Sequence, residues 1–457
     1  MDFDKLILRH GNKANYIDSR IENAMNETIV MKNNEISSIS SSFASGFCFR
    51  VFLKNGIGFS CSSDFSKKEK VLKEAFKLAI VSSKFKRDKI KIERYETNRD
   101  SYKINYEIDP FNVSFKKKID FLHNINKKLQ HNKIKSIVIK LTFSKVNKRF
   151  LNNKGAEINT NLIYSILKIN VIGREMDKTS ECFFSIGKTN GYELIEGLDI
   201  DEIVNELKQR NLRLLHARHI KKGRYNVICD PILSGVFFHE AIGHACEADH
   251  IITKQSILHD KIGRKIGSDL ITLYDDPLIK DEIGSYKYDD EGIKARRTKL
   301  IENGKLCCFL NSLSTSNKLN MDLTSNGRAQ SPFYLPIPRM SNTTLAPGDF
   351  SEEELIEEMK NGIYAKGSRG GVVEPTLGNF VFNAEEAFLV KNRRIVENLR
   401  DFSLSGNILE TLRNVVRVGR DNKPQYLGAV CGKIGQNVPV GSATPHILVR
   451  DVIVGGR

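Results

Sequence analysis

Nowhere does the 457-residue chain run through the roughly eighteen consecutive apolar residues that a membrane-spanning helix needs, so no membrane span is expected. The opening MDFDKLILRH carries acidic residues and lacks the apolar stretch of an export signal, which points to a cytoplasmic protein. A paired cysteine framework is missing too. The eight cysteines lie scattered from Cys48 to Cys431, with Cys307 and Cys308 adjacent, and reduced thiols serving mostly as small core residues are expected. Long basic blocks are equally scarce. The formal net charge of +16 invites phosphate binding, yet the lysines are spread among Asn and Ile, and the denser runs at 84–94 and 116–118 are short. A solvated surface accounts for them better, and nucleic acid is not an expected partner.

What is present is a chain long enough for two or three domains, divided here into 1–98, 99–219 and 220–457. After an opening helical stretch, Phe47 to Leu53 and Ile57 to Cys61 flank Lys54-Asn55-Gly56, a strong hairpin signal. A helix follows from about Ser66, with Ser66 and Glu69 as a capping box, and the polar stretch 84–109 reads as a linker. The middle segment repeats the theme with a helix near 116–130, a turn at Asn152 to Gly155 and a closing helix from about Asp201. Neither of these segments displays chemistry, and both read as scaffold or dimer surface. From Gly223 a strand feeds a helix, and many short strands with turn signals follow. Strands grouped this way argue α+β: N-terminal α/β-hairpin domains, then a mainly antiparallel C-terminal β domain carrying one chemically distinctive helix.

That helix reads DPILSGVFFHEAIGHACEAD from Asp230 to Asp249. Asp230 is placed to cap it and Pro231 suits its first turn, where a missing N–H costs nothing. His239 and His244, with Glu240 beside the first, form an HExxxH pattern: two imidazoles to hold a borderline-soft metal and a carboxylate to take a proton from water. In a regular α-helix, five positions separate two side chains by roughly 140°, so one ion would not reach both. A π-type turn restores the alignment, and the sequence predicts one around Ala241 to Gly243, with Gly243 relaxing the backbone. A catalytic zinc needs a third protein ligand, and spacing alone leaves Cys246, Glu247, Asp249, His250 and Glu282 open. Cys431, at the head of a glycine-rich turn, is a further candidate.

HEAIGHACEAD resembles the active-site segment of the TldD/PmbA family in its zinc-bearing branch. Similar phrases follow in order: DDEGIKARRTKLIENG (289–304), PRMSNTTLAPGD (338–349), GSRGGVVEPTLGNFVF (367–382), SLSGNILETL (403–412) and CGKIGQNVPVG (431–441). The resemblance implies a zinc metallopeptidase in which the cysteine of the last phrase, Cys431, completes the ligand set with His239 and His244. Glu240 would then be the general base, and Glu247 and Asp249 match acidic positions read as orienting the imidazoles, although Ala248 replaces a glycine often found between them. Gly370 and Gly371, together with 332–340, are expected to offer backbone edges to an extended substrate. Short or unfolded peptides are the implied substrates, and the family implies a homodimer or a heterodimer with a PmbA/TldE-like paralogue. The alternative is a non-catalytic interaction protein of the DNA gyrase modulator type with a structural metal site. A metal-dependent hydrolase of another amide would use the same water activation. Glu240 distinguishes catalysis from structure, because a structural site normally fills all four positions and needs no adjacent carboxylate.

Overall fold

The computed structural model describes residues 2–85, 92–421, 424–425 and 430–455. Part of the 84–94 basic run and of the expected linker, residues 86–91, therefore lies outside the described residues. The rest of that linker is not all loop. Its residues β4 (Arg99–Lys103) alternate in exposure and add in parallel to the edge of a later strand.

The opening helix is short, α1 (Phe3–His10), and the chain then turns extended. Strands β1 (Tyr16–Lys32), β2 (Glu35–Leu53) and β3 (Gly56–Ser62) precede β4, and β5 (Ile134–Asn152), β6 (Glu157–Glu175) and β7 (Lys178–Lys188) follow it. They make one seven-stranded sheet in the order β3-β2-β1-β5-β6-β4, with β7 also pairing β6. Because β1 runs antiparallel along β5, the first two segments of the chain share a sheet. Asn33 and Asn34, at φ 48° and 71°, supply the positive φ values of the tight β1–β2 turn. Leu53 pairs with Gly56, so Lys54 and Asn55 occupy the next turn. The cap before α2 (Lys68–Phe85) is Asp64, whose side chain accepts from the Ser66 N–H; Ser66 itself lies inside a leading 3₁₀ turn instead of capping the helix.

Alternation decides the two faces of β5 and β6. Ile137, Ile139, Leu141, Leu167, Ile169 and Val171 bury under α3 (Phe115–Leu129) and the helix Ile200–His216. Their sequence neighbours Val138, Lys140, Lys168 and Asn170 are left to face the C-terminal part of the chain.

The C-terminal part is built on two sheets. In the larger, ten-stranded one, Gly223–Cys229 lies between Ile447–Gly455 and Gly362–Lys366, and Gly371–Glu374 forms one edge. Most pairings are antiparallel; Gly362–Lys366 on Gly223–Cys229 and Arg394–Arg400 on Arg218–His219 are parallel. The second sheet centres on Leu273–Asp275 and Asn342–Leu345. Between them runs the helix that starts at Pro231, with Phe237 against Phe380 and Phe382 at ring distances of 5.4 and 6.1 Å. Apolar side chains of this helix and of both sheets form one continuous core. The architecture is α+β. Among the described residues, no helix is long and apolar enough to cross a membrane.

Candidate metal centre

Strand Gly223–Cys229 delivers the chain into a capped helix. One Asp230 oxygen accepts from the Leu233 N–H at 2.8 Å, the other from the Gly367 N–H at 2.9 Å, and Pro231 occupies the first turn. Pro231–Phe237 is α-helical, Phe238–Gly243 is π-helical, and His244–Cys246 closes as a 3₁₀ turn. The π turn lets the His244 N–H donate to the carbonyl of His239, five residues back, and it brings the two rings to 5.4 Å between centroids. Gly243 contributes differently from expectation. Its φ of −55° is ordinary right-handed backbone, whereas a Cβ there would lie 1.9 Å from Met340 Sδ. Glycine lets the Met340 side chain pack against this turn, and the position makes no use of backbone freedom.

Cys431 arrives on a hairpin, Val430–Lys433 against Gln436–Pro439, whose turn residues Ile434 and Gly435 have φ of 49° and 70°. Its Sγ lies 3.3 Å from His244 Nε2, and one donor atom each from His239, His244 and Cys431 fall within 4.8 Å of one another. The wholly buried Arg339 ties both hairpin strands together by donating to the carbonyls of Cys431 and Gln436.

The other nitrogen of each imidazole is engaged. His244 Nδ1 lies 2.8 Å from Glu247 Oε2, and His239 Nδ1 lies 3.4 Å from Thr343 Oγ1, which leaves the Nε2 atoms for the space shared with the thiol. Burial pushes the Cys431 thiol up, but hydrogen bonds and charge from His239 and His244 outweigh it and bring the group down to about 5. Burial likewise opposes ionisation of Glu247, yet His244, Lys433 and Arg339 draw its carboxyl down to about 2. His244, which burial alone would lower, is raised by Glu247 and Cys431. The two shifts have one cause: each group favours the charged form of the other. A metal held here by His239, His244 and Cys431 would require His244 to be neutral, because only a neutral imidazole ligates.

Glu247, fully buried, touches His244 Nδ1 directly. Asp249 does not reach an imidazole: its carboxylate lies 2.7 Å from Lys433 Nζ, which in turn lies 3.0 Å from Glu247 Oε2. It balances the cation that balances Glu247. Among the candidates left open by spacing, Cys246 is a core thiol and Glu282 pairs with Lys188. Neither it nor His250 belongs to the clustered donor set found among the described residues. The segment 332–340 is also corrected: Arg339 and Met340 are buried beneath the centre, and no residue of 332–340 lines the adjoining cleft.

Replacing Glu247 by glutamine keeps the shape of the side chain and removes the charge that fixes the His244 tautomer. Metal affinity is expected to fall about 10- to 100-fold. Competition titration against a chromophoric chelator measures this, and an unchanged dissociation constant would refute the orienting role.

A cleft of about 730 Å³ opens beside the centre, and Glu240, His239, Cys431, Gly370 and Gly371 all line it. Glu240 is 40% exposed and its Oε2 lies 3.7 Å from His244 Nε2. The opposite wall comes from the N-terminal sheet: Val138, Lys140, Lys168 and Phe183 face the same space. The sequence reading assigned no chemistry to those strands. A lysine on each of two strands whose alternate residues are apolar was the available signal, and it is readable only once the register places them opposite each other.

The chain matches three consecutive models of one family: PmbA/TldA metallopeptidase domain 1 over residues 19–81, the central domain over 108–215, and the C-terminal domain over 222–456. The chain belongs to the PmbA/TldD metallopeptidase family. It is similar to a metalloprotease of Methanocaldococcus jannaschii, 39% identical over 94% of each chain. A second PmbA/TldD relative, a zinc metalloprotease TldD homolog of Saccharolobus solfataricus, is 31% identical over 97% of each. Among solved structures, a Thermotoga maritima protein described as a candidate modulator of a DNA gyrase superposes with TM-score 0.82 at 21% identity, covering 99% of both chains. TldE of Thermococcus kodakarensis gives TM-score 0.76 at 20% identity, again over 99% of both. At these identities the structural likeness establishes the PmbA/TldD fold.

Proposed function

We propose that this chain is a zinc-dependent peptidase that hydrolyses peptide bonds in short or unfolded peptides. The observation that carries the reading is the convergence of two imidazoles and a thiol beside a cleft-facing carboxylate. This donor set suits a borderline-soft divalent ion, and three protein ligands leave a position open, as catalytic sites require. His239, His244 and Cys431 would hold the ion. When bound, zinc supplies Lewis acidity toward a carbonyl and lowers the pKa of water.

The remaining work falls to the chain itself. Glu240, exposed toward the cleft, accepts the proton of the attacking water and returns it to the leaving amine. Glu247 and Thr343 hold the two imidazoles in register. Gly371 opens the edge strand Gly371–Glu374, whose free side suits main-chain hydrogen bonding to an extended peptide with little side-chain preference. The cleft between the two sheets admits a strand more readily than a folded domain.

Purified full-length protein is expected to contain about one zinc per chain. It is expected to cleave an unstructured peptide, to lose that activity on chelation and to regain it with added zinc. Wild-type protein that holds the metal and cleaves no peptide would overturn the reading in favour of a non-catalytic interaction protein.

A further inference from the structure

The helix face that carries His239 and Glu240 stays apolar toward the helix start. Val236 precedes them by three and four positions and Ile232 precedes Val236 by four, the spacing that stacks side chains on one face, and both line the cleft beside the metal centre. Across the cleft, Val138 of β5, Asn170 of β6 and Phe183 of β7 form one row of the N-terminal sheet, and Val138 and Phe183 face the same space. Val430, beside Cys431 on its hairpin, lines it too. The helix, two sheet strands and the hairpin thus each turn an aliphatic or aromatic side chain toward one opening. Phe183 and Val430 remain 37% and 46% exposed there. Val138, Phe183, Ile232 and Val430 join none of the apolar clusters formed among the described residues. Apolar surface gathered in this way and left to water is unfavourable, and it marks places where something apolar binds. The next row of the same sheet face, Lys140, Lys168 and Ser185, is polar and bounds the strip on one side.

The strip is also close to where a bond would be cut. At about 1.5 Å of rise per residue, Val236 and Ile232 stand about 6 and 12 Å before Glu240 along the helix. An extended peptide advances about 3.3 Å per residue, so that span covers about four of its residues.

We propose that Val138, Phe183, Ile232, Val236 and Val430 form an apolar side-chain subsite, and that the preferred substrate is a peptide carrying a leucine- or phenylalanine-sized side chain within about four residues of the scissile bond. The proposal rests on the peptidase reading for the identity of the ligand as a peptide. Main-chain pairing with the edge strand Gly371–Glu374 accepts any sequence and any register. The subsite would choose the register by burying one large apolar side chain, which a polar one cannot match.

The test uses unstructured peptides of Gly, Ser and Gln that differ at one position, Leu or the nearly isosteric Asn, each with the same N-terminal fluorophore. Binding to zinc-loaded full-length Glu240→Gln protein is read by anisotropy. The Leu form is expected to bind about 10- to 100-fold tighter, the worth of burying one such side chain. Adding Val138→Thr and Phe183→Ala is expected to bring the Leu form down to the Asn form and to leave the Asn form unchanged. Glu385 accepts from the backbone N–H of Phe183 at 2.6 Å, so the strand keeps that anchor when the ring is gone. In parallel, wild-type protein is given a set in which Leu steps along the peptide, and mass spectrometry locates the cut, which is expected to step with it. Equal binding of the Leu and Asn forms, an equal loss of both in the wall variant, or a cut that ignores the position of Leu overturns the subsite. Cleavage without preference for Leu defeats the subsite alone, and preference for Leu without cleavage defeats the peptidase reading alone.

Discussion

Cys431→Ala is expected to reduce bound zinc from about one per chain to less than about a tenth, because two imidazoles alone do not make the three-ligand set that such sites use. The substitution is well isolated from the fold. Arg339 grips the backbone carbonyl of Cys431 and not its sulfur, so the hairpin keeps its anchor when the thiol is gone. What disappears is a thiol whose ionisation His239 and His244 favour, drawing the group down to about 5. With it goes the only negative ligand in the set. Elemental analysis measures the zinc, and cobalt substitution adds a second readout, the loss of thiolate-to-metal charge-transfer absorption. Cys246→Ala serves as the control. That thiol is buried only two residues beyond His244, yet it packs in the core, and its loss is expected to leave the metal content intact. Full zinc occupancy in the Cys431 variant would remove this residue from the site.

Glu240→Gln carries the second large effect. If Glu240 handles the proton of the attacking water, its loss is expected to slow cleavage about 10²- to 10⁴-fold, or roughly 3–5 kcal/mol in the barrier. The metal is expected to stay, because Glu240 is not one of the three clustered donors. Stability is expected to change by less than about 0.5 kcal/mol, the usual range for a surface substitution away from caps and core, since this side chain is 40% exposed. The expected pattern is a fall in kcat with KM nearly unchanged, as follows when a group acts in the transition state and not in binding. A variant that cleaves at the wild-type rate would remove the proton-transfer role from Glu240, the carboxylate that lines the cleft 3.7 Å from His244 Nε2.

The two substitutions together divide holding the ion from using it. That division matters because the fold cannot supply it: proteins of this architecture carry descriptions as different as TldE and a candidate modulator of a DNA gyrase. Function must be argued from the side chains at the site.

How much of that site was readable beforehand varies residue by residue. The π turn was legible because two histidines five apart cannot share an ion on a regular helix, and the Asp230 cap with Pro231 marked the helix start. Cys431 was not legible from spacing. It lies 187 residues beyond His244, and residue patterns left five nearer candidates open until family resemblance favoured it. Gly243 was placed correctly and explained wrongly, since its backbone is ordinary right-handed helix and its missing side chain leaves room for Met340. Asp249 was read one contact too close to the metal because nothing local reveals Lys433 standing between carboxylates. The lysines of the facing wall went unassigned altogether.

The sequence by itself determined the helix with its cap and π turn, the hairpin strands and the α+β class. Each follows from hydrogen bonds, turn angles and apolar periodicity among residues a few positions apart. Only the tertiary structure decided how the Cys431 thiol sits against the imidazoles, what Glu247 and Asp249 touch, and that the N-terminal sheet walls the cleft. Those outcomes depend on strand register and on the packing of two sheets around one helix, and both are set by contacts between residues remote in the chain.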